Sequence, residues 1–301
     1  MFGKKYEIDN VKYELIKRKS IVKVIRSPKA TRDVVILPEV EGIKVTEIGE
    51  SAFAKLSGIT TISIPDSVTI IGFSAFKKCE NLKSVVIPKS VTLIQADAFK
   101  GCTGLTNVDI PDSVTGIGNN AFDKCTGILE INIPDSVTAI AHFAFYNCKS
   151  AKKLVIGKGL SEIRPGVFAN CESLTNLVIP GNVKSIYNTI NFIDNIGSFE
   201  GCIGLKEVKI EDGVTFIGNR AFGGCNKLRK AIIPKSVASI DWIDVIGRPE
   251  RLETDRRYHA FMGCPNLTIY GFSGSGAETY ANQHCSSPYA EAIPFVNIET
   301  Q

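Results

Sequence analysis

Cysteine recurs in this chain at a fixed step. Cys79, Cys102, Cys125, Cys148 and Cys171 are each 23 residues apart, and Cys202, Cys225 and Cys264 follow at steps of 31, 23 and 39. A phenylalanine stands three residues before each of them, at Phe76, Phe99, Phe122, Phe145, Phe168, Phe199, Phe222 and Phe261. Phe53 extends the series backwards, with Leu56 in the cysteine slot, so nine coils are marked. A unit this short cannot bury its own apolar face. It must stack on its neighbours, and self-similarity at this period is the signature of a solenoid.

The other apolar slots are equally regular. After Cys79 come Leu82, Val85, Ile87 and Pro88, then Val91, Ile94, Ala98, Phe99 and Cys102. The next coil reads Leu105, Val108, Ile110, Pro111, Val114, Ile117, Ala121, Phe122 and Cys125. The alternation of Val85 and Ile87 predicts a short strand, which the proline ends because it cannot donate to a ladder. Val91 to Ile94 predicts a second β segment, and Gln95 to Gly101 a single helical turn. Burying one such aliphatic or aromatic side chain contributes roughly 1.5–3 kcal/mol, so elements this short suffice once they are stacked.

The 44% hydrophobic and 22% charged residues are those of a folded globular chain. A formal charge of +4 over 301 residues falls short of the concentrated Lys/Arg excess of a nucleic-acid protein, and no nucleic-acid partner is expected. No apolar run reaches the ~18–20 residues that span a bilayer, so no membrane-spanning segment is expected. Met1 to Asn10 is charged and lacks the apolar stretch of a signal peptide.

Nine cysteines cannot all pair within one chain. No close C-x-x-C pair is present, and a row of thiols does not make a tetrahedral metal site. Stacked rungs lie within bridging range for disulfides, at ~5 Å, yet Leu56 occupies one slot, so the slot reads as a place for a small hydrophobe. The expectation is a ladder of buried, reduced thiols, with a Cys264–Cys285 bridge as the alternative at the C-terminal end. His142, His259 and His284 lie in different coils or the cap. They form no Ser/His/Asp or Cys/His arrangement and are expected to be solvated. The glycine-rich run Gly271 to Gly276 lacks the Lys-Ser/Thr of a phosphate loop and reads as a turn into a helix. Asn266-Leu-Thr268 matches a glycosylation acceptor, but Leu267 is a core slot. No catalytic residue, cofactor or metal is expected.

Two surfaces are candidates for binding. The outward slots of the main strands, such as Ser84 and Val86, Glu130 and Asn132, Glu207 and Lys209, and Lys230 and Ile232, are mixed in sign and size. The second candidate is a pair of insertions, near residues 187–194 and 241–256. Ile163 and Phe168 are 5 residues apart, whereas Ile186 and Phe199 are 13 apart and Ile240 and Phe261 are 21 apart, which leaves 8 and 16 extra residues. Both enter at the same point of the repeat with one ordinary coil between them, so their roots should lie roughly 10 Å apart. The candidate partner-binding residues are Tyr187 and Phe192 in the first, and Trp242, Arg248, Arg251, Arg256, Arg257 and Tyr258 in the second. Trp, Tyr and Arg dominate binding hot spots, and insertions into repeats often build the binding face. The alternative is that the two loops pack on each other and seal the stack. Asp241, Asp244, Glu250, Glu253 and Asp255, interleaved with the arginines, read as a salt-bridged surface rather than a catalytic site.

The pattern L-x-x-V-x-I-P-x-S-V-x-x-I-x-x-x-A-F-x-x-C resembles the BspA-like leucine-rich repeats, from about Val34 to Ile269. Tyr6 to Arg26, Val34 to Pro38 and Gly42 to Ile48 resemble the N-terminal β cap of such domains. Leu267 to Gly271, Ala277 to Asn282 and Pro294 to Ile298 resemble their C-terminal helix-and-strand cap. The resemblance implies an α/β, β-rich fold: a right-handed leucine-rich-repeat solenoid of about nine 23-residue coils. Its N-terminal cap would span 1–33, the solenoid 34–269 and the C-terminal cap 270–301, in one structural domain. It also implies a non-enzymatic protein-binding or adhesion module, at the cell surface or secreted. Its ligand would be a protein, such as a host matrix protein or another cell-surface protein. An intracellular scaffold, or a carbohydrate-binding surface protein, are the alternatives. The shared motif is structural and carries no binding residues, so no ligand transfers with it.

Overall fold

The computed structural model describes residues 3–16, 18, 20–187, 196–243, 258–285 and 293–299. They form two compact units, Met1–Gly159 and Leu160–Gln301, each a β-solenoid stack.

The first unit opens on an antiparallel meander of Lys5–Ile8, Val11–Ile16 and Ile21–Ile25. Its last strand pairs in parallel with Ile43–Ile48. That strand starts a ladder continued by Ile70–Ile71, Leu93–Ile94, Gly116–Ile117 and Ala139–Ile140. A second parallel ladder runs through Arg32–Val35, Ile59–Ser63, Ser84–Val86 and Asn107–Asp109, and Glu130–Asn132 pairs with Lys153–Val155 in the same manner. In its three-residue strands the central side chain is buried and its neighbours face out. The meander leads directly into the first of these ladders.

The phenylalanines align rung on rung. From Phe53 through Phe76, Phe99 and Phe122 to Phe145 the ring centroids are 5.4, 5.1, 5.2 and 5.0 Å apart, with interplanar angles of 6–11°. All five rings are fully buried. Their segment is not the helical turn that the spacing predicts. Alternate amides close local turns, as in Ala75 N to Gly72 O (3.1 Å) and Cys79 N to Phe76 O (3.0 Å). Those between them donate to the next coil, as in Ser74 N to Ala96 O (3.0 Å), Phe76 N to Ala98 O (2.7 Å) and Lys78 N to Lys100 O (2.7 Å). Left-handed residues make this possible: Ser74 at φ 54° and Lys78 at φ 59° break helical propagation. The stretch is therefore a third ladder, and inter-coil bonds outcompete the helix.

The second unit repeats the plan. One parallel ladder comprises Glu162–Ile163, Ser185–Ile186, Phe216–Ile217 and Ser239–Ile240. The other comprises Asn176–Ile179, Glu207–Ile210, Lys230–Ile232, Thr268–Gly271 and Phe295–Asn297. Phe168, Phe199, Phe222 and Phe261 stack at 5.5, 5.4 and 5.2 Å. The helix Gly276–Cys285 closes the end with Ala277, Tyr280 and Ala281 buried, and Tyr280 sets its ring edge-on against Phe261 at 5.9 Å. Ser275 and Glu278 cap the helix: Glu278 N–H donates to Ser275 Oγ, and the Glu278 carboxylate accepts from Gly274 N–H at 2.7 Å.

The eight ladder cysteines are buried thiols, and Cys264 is in the reduced state rather than bridged. These thiols reach back one coil. Cys79, Cys102 and Cys125 Sγ donate to the carbonyls of Phe53, Phe76 and Phe99 at 3.1 Å, and Cys202, Cys225 and Cys264 do so to Phe168, Phe199 and Phe222 at 3.3–3.4 Å. Cysteine thus brings a small apolar body and a weak donor to one place.

Candidate partner-binding site

Both insertions spring from one ladder of the second unit. In it Ile186, Ile217 and Ile240 are in direct register. The residues that follow them take equivalent bonds: Tyr187 N to Ile163 O (2.9 Å), Gly218 N to Ile186 O (2.7 Å) and Asp241 N to Ile217 O (2.8 Å). Tyr187 opens the first insertion and Asp241 the second, two rungs apart, or roughly 10 Å at the usual strand spacing. The Gly218 coil between them carries no insertion.

At the first root Tyr187 is 39% exposed, and its ring rests against Phe216 at 5.9 Å. The chain re-enters the coil at Ser198, which is buried. Its Oγ lies 2.9 Å from Tyr187 O and 3.1 Å from the carbonyls of Ile163 and Arg164, and its single proton satisfies one of them at a time. Glu200 accepts from Gly197 N–H at 2.8 Å and pairs with Arg220 of the following coil.

The second insertion starts as a β-hairpin. Trp242–Ile243 pairs antiparallel with Tyr258–His259, in the register Trp242↔His259 and Ile243↔Tyr258. Ala260 N–H donates to Asp241 O (3.3 Å) below it, and His259 O accepts from Arg220 N–H (3.2 Å). The expectation of a solvated His259 is corrected: it is partly buried, with Nδ1 2.7 Å from Tyr280 Oη. Tyr280 Oη also accepts from Phe261 N–H at 3.4 Å. Burial raises the pKa of the Asp241 carboxyl from its ordinary value, against the opposing effect of the Asn219 backbone N–H.

Of the residues singled out from sequence, Tyr187 is placed with its side chain, and Trp242 and Tyr258 lie on the facing strands of the hairpin. Phe192, Arg248, Arg251, Arg256 and Arg257 lie outside the described residues. Sequence reasoning missed the hairpin and the His259–Tyr280 contact. The β-branched and aromatic residues at the start of the second insertion signal the hairpin, whereas nothing local signals a bond between residues 21 apart. Among the described residues no group of three or more His, Cys, Asp or Glu side chains is arranged to hold a metal ion. No described helix is long and apolar enough to cross a membrane.

The repeat geometry agrees with the comparisons. The family model for the BspA type leucine rich repeat region matches in six copies, over residues 69–196 and 188–242. The chain belongs to the BspA-type leucine-rich-repeat family. Among solved structures, a leucine-rich repeat protein from Bacteroides ovatus is 25% identical to this BspA-type chain. That match covers 97% of this chain and 76% of the other, with a TM-score of 0.66. The leucine-rich repeat protein of T. pallidum is 24% identical over 75% of this chain and 91% of its own, with a TM-score of 0.54, a likeness in fold. No curated protein matches this BspA-type chain.

Proposed function

We propose that the chain is a non-catalytic recognition module that binds a protein partner through its two insertions. One observation carries this reading: the register of Ile186, Ile217 and Ile240 sets both insertion roots on one ladder, two rungs apart. The roots of the two insertions, at Tyr187 and Asp241, thereby lie on a single side of the second unit. Tyr187, Phe192, Trp242, Arg248, Arg251, Arg256, Arg257 and Tyr258 are the proposed contact residues, of the types that anchor protein interfaces. By family resemblance the partner is a host matrix or cell-surface protein, and the module acts at the cell surface or after secretion.

The test compares the intact chain with a variant lacking residues 243–256, each immobilised and offered purified extracellular-matrix proteins. The deletion is expected to weaken capture at least tenfold. Equal recovery by both forms removes the insertions from the binding role. A second reading, an intracellular scaffold built on the same coils, draws on the buried thiols, which suit a reducing compartment. Detection of the protein in a surface or culture fraction eliminates it.

A further inference from the structure

The main sheet face of the second unit carries a concentration of cations that the alternation of outward slots alone does not reveal. Lys206 and Arg229 immediately precede their strands and sit on adjacent rungs, since Arg229 N–H donates to Lys206 O at 2.9 Å. Both are exposed, as is Lys209. Lys230 completes the group and is held by Glu207 at 3.3 Å, with its ammonium 5.4 Å from the centre of the Tyr270 ring. Among the described residues no ion pair engages Lys206, Lys209 or Arg229. Adjacent rungs are ~4.8 Å apart, and three residues along a strand span ~10 Å. The four cations thus lie within about a Debye length of one another, where their repulsion is only partly screened. Three unneutralised like charges on neighbouring rungs cost stability in the isolated chain, and an anionic partner relieves that cost.

Apolar side chains flank one of these cations across the strands. Val178, Lys209, Ile232 and Tyr270 are in register on successive strands. Val178 is 48% exposed, and Ile232 and Tyr270 are half-buried. We propose that this face docks an acidic protein segment that also carries apolar side chains. Carboxylates would meet Lys206, Lys209 and Arg229 while aliphatic groups cover Val178, Ile232 and Tyr270. The Glu207 carboxylate within the cation group, and the apolar side chains on either side of Lys209, disfavour a dense polyanion such as a sulfated glycan or a nucleic acid, which is met by unbroken cations. This surface is separate from the insertions, although it rests on the same reading of the chain as a binding protein.

The experiment uses the full chain and a fluorescein-labelled peptide of repeating Asp-Glu-Leu units, read by fluorescence anisotropy at low salt. The triple variant Lys206→Glu, Lys209→Glu, Arg229→Glu is expected to bind at least tenfold more weakly. A control with the same change in net charge, Lys83→Glu, Lys89→Glu, Lys124→Glu on the first unit, is expected to shift binding less than twofold. If the glutamate triple fails to melt cooperatively, the corresponding alanine triple takes its place. Equal weakening by both triples, or by neither, overturns the proposal. So does tighter binding of a heparin dodecasaccharide or a single-stranded oligonucleotide than of the peptide in the same buffer. The form lacking residues 243–256 keeps full peptide affinity, so failure here and failure of the insertion reading are told apart.

Discussion

The cysteine slot combines packing with titration. Burial drives the thiol of Cys79 from its ordinary value of 9.0 up to about 12, and those of Cys202 and Cys264 likewise to about 12. The thiols stay protonated at neutral pH and hold their contacts to the phenylalanine carbonyls. The folded pKa exceeds the unfolded one, so their stabilising effect is whole below about pH 9. It declines as pH rises towards 12, because only the unfolded chain releases the proton in that window. Between pH 8 and pH 10.5 the intact chain is expected to lose on the order of 2 kcal/mol more stability than a Cys79→Ala variant. Urea unfolding at the two pH values measures this, and parallel losses in both proteins refute it. The neighbouring slot shows how backbone conformation overrides residue type. Lys55, Lys78, Gly101, Lys124, Asn147, Asn170, Gly201, Gly224 and Gly263 all take positive φ, from 58° to 75°. A left-handed lysine costs about 1–2 kcal/mol, and the inter-coil hydrogen bonds offset it.

Among the elements, the C-terminal helix closes the aromatic stack. Tyr280 covers Phe261 with its ring and links His259, at the foot of the hairpin, through its hydroxyl. Burial pushes the Tyr280 hydroxyl far above its ordinary pKa, so it remains protonated and available to donate to Nδ1. Replacing Tyr280 by Phe keeps the ring and deletes the hydroxyl, leaving the Phe261 N–H and His259 Nδ1 without this contact. The expected cost is about 1–3 kcal/mol, accompanied by faster amide exchange at His259 and Phe261. Unchanged exchange there would mean that the hydroxyl does not tie the hairpin to the helix. Among the described residues the insertion hairpin has two residues per strand, and its base is tied to the coil by the bonds of Asp241, His259 and Ala260.

For each unit taken whole, the stack behaves as a one-dimensional array in which a coil interacts with its immediate neighbours. Rings on adjacent rungs touch, as do Phe76 and Phe99 at 5.1 Å, whereas Phe53 and Phe122 are separated by two intervening rings. Each Phe→Ala replacement is expected to cost about 3–5 kcal/mol. In double mutants the Phe76/Phe99 pair should couple by about 1 kcal/mol or more, while Phe53/Phe122 should add to within about 0.5 kcal/mol. Equal coupling in the two cycles would contradict nearest-neighbour stacking.

The amino-acid order alone determined the repeat, the apolar slots and the points of insertion. The Phe, Leu, Val, Ile and Cys positions of every coil can be read off directly, because a stack buries equivalent residues and selection of side-chain size leaves a periodic trace. It did not determine the third ladder, the hairpin at Trp242, the His259–Tyr280 contact or the cation group around Lys206 and Arg229. Those depend on which groups from different coils face one another. A helical turn at Gln95–Gly101 satisfies local spacing, but amides that meet carbonyls of the next coil make a different conformation cheaper. Charges that look scattered along the chain gather only when residues a full coil apart become neighbours across about 5 Å.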